Sequence, residues 1–152
     1  VKTSIHYRPM NERKDLDGLV RLIRTELLPL SYSTETDDPT VIRSLPGRFR
    51  DGRTIVAVAG KKGEPAGFVH YQFLQGILHI DMLAVHRDCR NAGVGGSLMK
   101  QAEAAGAAEG CVLALLFVDD ANDKARRFYE RIGYEPVRHH ESYKVTELLK
   151  PL

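Results

Sequence analysis

The sequence predicts a single α/β domain built on a mixed, mostly antiparallel sheet of about seven strands flanked by about four helices. Three observations carry this. The β-rich runs 54–59, 66–74 and 77–85 follow one another across short turns, so an antiparallel meander is the economical arrangement. The third run leads into a helix-periodic stretch, 97–109, and then into the nearly all-apolar run 111–118, which reads as a strand covered on both faces. That strand–helix–strand unit needs parallel pairing through a right-handed crossover. The chain is 152 residues long with no repeat, low-complexity tract or linker, so residues 1–152 are read as one domain.

The elements follow in order. Ile5 to Arg8 is a short strand closed by Pro9, which cannot donate to a ladder. Leu16, Leu19, Val20, Ile23 and Leu27 recur at intervals of three and four, the stripe of a helix over 12–28, with Asn11 as N-cap and Pro29 as terminator. A polar, acidic stretch, 31–38, precedes Pro39, which opens a second helix to about Arg50. After the meander, Leu98, Met99, Ala102 and Ala105 mark the Ala-rich third helix, stopped by Gly110. A fourth helix spans 122–132 and ends at Gly133; 134–138 and 142–148 are the closing strands.

Composition narrows the function. At 43% hydrophobic and 28% charged residues the chain is globular rather than disordered. A chain of this size buries roughly 68–70% of its unfolded surface and needs neither disulfide nor metal to hold a core. A net charge of +2 leaves no basic face for nucleic acid, and no apolar run reaches the ~18 residues of a membrane span. The N-terminus has no apolar signal core, which with two cysteines lacking redox or zinc spacing (Cys89, Cys111) points to a cytoplasmic protein with reduced thiols. Val1 in place of an initiating Met points to trimming. His139 and His140 are strand neighbours that face opposite ways, so no metal site is expected.

The chemistry concentrates at Arg90-Asn91-Ala92-Gly93-Val94-Gly95-Gly96-Ser97, between a strand and a helix. Gly93 and Gly95 let the backbone turn tightly and approach a ligand, and a helix start offers unpaired N–H groups and a positive dipole end. This suits a pyrophosphate; the alternative is a glycine-rich turn that only starts a helix. A Walker A loop would need Lys before its Ser, and Gly96 stands there. A Rossmann fingerprint lacks its third glycine and disagrees with a preceding antiparallel meander.

A second segment follows the buried strand: Asn122, Ala125, Phe128, Tyr129, Gly133 and Tyr134 in N-D-K-A-R-R-F-Y-E-R-I-G-Y. With Arg90-x-x-Gly93-x-Gly95 ahead of it at this spacing, the chain resembles the GNAT superfamily of acetyl-CoA-dependent N-acetyltransferases over essentially its whole length. The opening Ile5-His6-Tyr7-Arg8-Pro9 and its amphipathic helix are similar to the family's start.

The resemblance implies a sheet that splays beside Leu83-Ala84-Val85, where the backbone of Leu83 and Val85 would hold the pantetheine arm and polarise the acetyl carbonyl. It implies that the backbone from Asn91 through Ser97, with Arg90 at the mouth, binds the CoA pyrophosphate. Asn122 would bond the pantetheine or brace its loop. Tyr129 would be the general acid beside the departing sulfur; otherwise it packs with Phe128. An attacking amine must lose a proton, and the base is left open between Asp81 and His79, each of which could instead be a structural hydrogen-bonder. Simple alternation puts His79, Asp81, Leu83 and Val85 on one face. The implied reaction is direct acetyl transfer from acetyl-CoA to a primary amine, small-molecule or peptide, in a ternary complex. The rival is a CoA-binding regulatory module with the same fold and little turnover. In the family the acceptor site is built from the first two helices and last strands, here 30–50 and 138–143, with Tyr32, Glu35, Asp37 and Asp38; their acidity suits a cationic acceptor or a merely solvated loop. Homodimerisation is left open.

Overall fold

The computed structural model describes residues 4–30, 38–60 and 63–152. Seven strands form one sheet in the order β1-β2-β3-β4-β5-β7-β6, with β1 Ile5–Pro9, β2 Arg53–Ala59, β3 Glu64–Leu74, β4 Ile77–Val85, β5 Leu113–Asp119, β6 Glu135–His140 and β7 Val145–Pro151. Every pairing is antiparallel except β4 with β5, as the crossover helix between them requires. The helices are α1 Glu12–Leu22, α2 Pro39–Arg50, α3 Val94–Ala108 and α4 Asp123–Arg131. The acceptor-loop residues Tyr32, Glu35 and Asp37 lie outside the described residues.

Two apolar layers sandwich the sheet. On one face α3 and α4 bury Val94, Leu98, Met99, Ala102 and Tyr129 against Val69, Leu78, Ile80, Leu116 and Leu148. On the other, α1 and α2 bury Leu19, Leu22, Leu45 and Phe49 against Val56, Phe68, Met82 and Ala84. The α1 N-cap is Asn11, whose Oδ1 accepts from the Lys14 N–H, and buried Asp15 holds Arg8 through both carboxylate oxygens (2.6 and 2.8 Å), tying α1 to β1. After Leu22 the helix widens into one π-turn, Ile23–Leu27, and then tightens into a 3₁₀ turn carrying Pro29. Asp38 is not free acidity: its Oδ1 caps α2 by accepting from the Thr40 N–H.

Two expectations are corrected by the strands. The β5 positions were expected to be covered on both faces, yet Phe117 is 53% exposed at the cleft, its ring against His140 of β6. The alternation along β4 is broken by a bulge: His70 of β3 pairs with Met82, and Tyr71 pairs with Ile80, leaving Asp81 as the extra residue. Leu78 and Ile80 therefore face α3, Met82 and Ala84 face α1 and α2, and Leu83 and Val85 pack toward α3 again. Asp81 and His79 share the α2 side, opposite Leu83 and Val85.

Candidate active site

The ladder between β4 and β5 runs only from Ile77–Leu113 to His79–Leu115. Past that point the strands part, and β4 from Ile80 onward has no strand partner on this edge. The gap opens into a cleft of about 470 Å³ lined by Ile80–Leu83, Leu116–Asp119, Asn122, Ala125 and Tyr129, and roofed by Leu27, Leu28, Leu45 and Arg48. A volume of this size suits a cofactor arm and a small acceptor. A second hollow of about 490 Å³ lies beside β1 and β2 at Glu12, Arg50 and Arg53. The Arg50–Glu12 ion pair lines it, and of the segments the sequence singles out for the site it touches only the end of the 30–50 stretch, at Phe49 and Arg50.

The glycine loop after β4 is shorter than expected. Val94, Gly95, Gly96 and Ser97 are the first turn of α3 rather than loop, because Gly93 takes the left-handed conformation (φ 77°) at the N-cap and starts the helix there. Asn91 is also left-handed (φ 64°), so the chain turns tightly between Arg90 and Val94. The first helical bond at this end runs from the Ser97 N–H to the Gly93 carbonyl, which leaves the N–H groups of Val94, Gly95 and Gly96 without helical partners. A Cβ on Gly95 would lie 3.4 Å from the Phe128 ring, close to ordinary van der Waals contact between α3 and α4. Bare backbone donors at a helix start, beside a cleft that continues between two strands, fit a diphosphate with a long arm, the shape of CoA.

Glu26, on the π-turn, reaches this loop. Its carboxylate accepts from the Arg87 backbone N–H (2.8 Å) and guanidinium (3.2 Å), with Arg90 at 3.6 Å. Burial pushes the Glu26 carboxyl up, but those bonds and charges outweigh it and hold it below its ordinary range.

In the cleft, Asp81 receives Arg48 of α2 through two bonds, Nη2 to Oδ1 at 2.6 Å and Nε to Oδ2 at 2.9 Å. Behind it sits His70, fully buried, whose Nε2 is 3.7 Å from Asp81 Oδ2 and whose Nδ1 is 2.8 Å from Thr54 Oγ1. His79 pairs with Gln72 on one side and Leu115 on the other, at the last rung before the gap, and is not among the cleft-lining residues. Tyr129 lines the cleft from α4, its ring edge-on to Phe128 (5.2 Å) and Tyr134 (5.8 Å); burial pushes its hydroxyl well above the ordinary phenol range. Tyr129 thus packs against Phe128 and Tyr134 and also lines the cleft. Asn122 also lines the cleft, with its Oδ1 accepting from the Ala125 N–H as the α4 N-cap. Ala84 is buried on the α1 side, while Leu83 lines the cleft.

Sequence reading missed Arg48, His70, Thr54 and Glu26. A histidine inside the apolar run 66–74 was a usable signal for His70; nothing in the sequence links Arg48 to a residue 33 positions away. His139 bonds Asp120 (2.9 Å) and His140 bonds Glu147 (3.0 Å), so the adjacent histidines have different partners. No described helix is long and apolar enough to cross a membrane.

Residues 19–134 match the acetyltransferase (GNAT) family model. The chain belongs to this family: it is an acyltransferase whose cofactor is acetyl-CoA. No curated protein matches it by sequence. Among solved structures it is similar to the PaiA N-acetyltransferase of Thermoplasma acidophilum in complex with coenzyme A, with 17% identity, TM-score 0.80, and 98% and 99% of the two chains covered. It is also similar to a chain of the NatC complex bound to Gag peptide and CoA (22%, TM-score 0.75, 98% and 99%) and to nourseothricin acetyltransferase (20%, TM-score 0.72, 98% and 99%). At these identities the likeness is one of fold.

Proposed function

We propose that this protein is an N-acetyltransferase that moves acetyl directly to a primary amine in the cleft between β4 and β5. The observation that carries the reading is the convergence of Leu83, Asp81 and Tyr129 on one cleft at the gap between β4 and β5, with the open N–H groups of α3 following the turn after β4. Acetyl-CoA supplies an activated thioester. The N–H groups of Val94, Gly95 and Gly96 bind its diphosphate, with Arg90 at the loop adding charge. The unpaired edge of β4 at Leu83 and Val85 orients the thioester carbonyl, and its fixed backbone donors need no reorganisation during transfer.

The acceptor amine enters from the α2 side. Asp81 takes its proton; His79 lies on the same side but outside the cleft, so Asp81 is the better placed of the two. Tyr129 donates to the departing sulfur from the opposite wall. Its raised pKa keeps the hydroxyl protonated across the neutral range, so it is always in the donor form. Two carboxylates, Asp81 and Asp119, and one guanidinium, Arg48, line the cleft, a net negative charge that favours a cationic acceptor. Neighbours of equal fold likeness include one bound to a peptide and one named for an antibiotic, so acceptor class is read from this cleft and not from them.

The test is consumption of acetyl-CoA thioester with and without a panel of amines, polyamines, aminoglycosides and peptides. Amine-dependent thiol release and an acetylated product are expected. CoA binding with no turnover on any acceptor would instead make the protein a CoA-binding module.

A further inference from the structure

The Nε2 atom of His70 is a side-chain nitrogen buried without a hydrogen-bond partner among the described residues. An orphaned polar atom in a core costs stability unless it serves a purpose, and this one points toward the cleft carboxylate. The β4 bulge leaves Asp81 as the unpaired residue beside the His70–Met82 rung and turns its carboxylate to the His70 face. Phe49 packs edge-on against the imidazole at 5.4 Å and fixes its plane.

The neighbours also choose the tautomer. A lone pair on Nε2 would face the Asp81 oxygens at 3.7 Å and be repelled, so the proton belongs on Nε2. Nδ1 is then an acceptor, and the Thr54 hydroxyl at 2.8 Å is its donor. Burial lowers the His70 pKa and the Arg48 charge adds to this, while Asp81 and the backbone of Arg48 and Arg53 oppose it; the net direction is downward, which favours the neutral ring. At 3.7 Å the Nε2–H is just short of a hydrogen bond, while Arg48 holds both Asp81 oxygens from the solvent side.

We propose that His70 is a positioning residue for the acceptor site: its Nε2–H, set by Thr54, holds the Asp81 carboxylate in place when a cationic amine displaces Arg48. The inference rests on the reading of Asp81 as base. Arg48 is the exchangeable partner, 45% exposed, and His70 is the fixed one, fully buried. Without the fixed partner, Asp81 would swing with the departing guanidinium and lose its aim at the amine.

The test uses the full chain. Long-range ¹⁵N NMR of the wild type is expected to show His70 as the Nε2–H tautomer; the Nδ1–H tautomer would overturn the proposal. His70→Phe keeps an aromatic ring without the donor, and its kcat should fall by about 10–100-fold, the scale of a misplaced reacting group, with acceptor KM little changed. His70→Gln, which returns an amide donor to the same region, should recover part of the loss. Should His70→Phe fail to fold, Thr54→Val carries the same prediction at smaller size. An inactive Asp81→Asn beside a folded, fully active His70→Phe overturns the positioning role alone. A fully active Asp81→Asn overturns the reading of Asp81, and the role of His70 with it.

Discussion

Arg48 and Asp81, 33 residues apart, meet side-on where α2 borders the cleft, with both guanidinium–carboxylate bonds below 3.0 Å. The bond joins α2 to the bulge of β4, so the helix that borders the acceptor site is tied to the proposed base. The pair is 45% and 23% exposed, which puts its net worth at about 0–1 kcal/mol. A cationic acceptor can compete with it.

Arg48→Met removes that competitor while keeping most of the side-chain volume over the cleft. The KM for a cationic acceptor should fall, by up to about fivefold if the pair is worth about 1 kcal/mol. Steady-state kinetics with a diamine and a neutral-tailed monoamine would check this. A rise in KM would mean that Arg48 holds the acceptor instead.

Tyr129→Phe deletes one hydroxyl and keeps the ring contacts with Phe128 and Tyr134. If that hydroxyl protonates the leaving sulfur, kcat should fall by about 10²–10⁴-fold with CoA affinity nearly unchanged. A kcat near the wild-type value would leave Tyr129 with packing alone.

Gly95→Asp places bulk and negative charge among the open N–H groups of α3. Isothermal titration should find no measurable CoA binding, with a folded protein by circular dichroism. The new Cβ stands 3.4 Å from Phe128, a contact the ring can relax by a few tenths of an ångström. Unchanged affinity would move the diphosphate elsewhere.

Much of this was legible in the sequence, and the limits are physical. The seven strands, four helices and the parallel step follow from periodicity and turn residues, because each is a local pattern. The helix start at Val94 was set too late since glycines read as loop, whereas a left-handed Gly93 caps the helix and leaves Gly95 and Gly96 inside it. The bulge at Asp81 has no local signature; it arises from the register with β3, in which His70 meets Met82 and Tyr71 meets Ile80, and it decides which face Leu83 presents. Long-range partners such as Arg48 and Glu26 are products of the fold.

Acidification should loosen the loop before α3. Burial pushes the carboxyls of Glu26 and Asp15 up, but Arg87 and Arg90 at the first, and Arg8 at the second, hold both below their ordinary values. Folded values below the unfolded ones mean that the unfolded chain binds protons first. The stabilisation is therefore complete above the unfolded range of about pH 4 and is lost as pH falls through the folded values. Urea midpoints measured from pH 6 downward, with about pH 4 as the point of onset, should decline less steeply in Glu26→Gln than in the wild type. Equal slopes would show that Glu26 contributes nothing to the linkage.

Acetyl transfer in the gap between β4 and β5, with Asp81 on one wall and Tyr129 on the other, is tested most directly by single-turnover acetylation. Wild-type protein and Asp81→Asn, each saturated with acetyl-CoA, are mixed with an acceptor and the product is identified by mass spectrometry. Acetylated amine should form in the wild type with one thiol released per acetyl group, and at a rate about 10²–10⁴-fold slower in Asp81→Asn. Equal rates in the two proteins, or a thioester that persists with every amine, would contradict it.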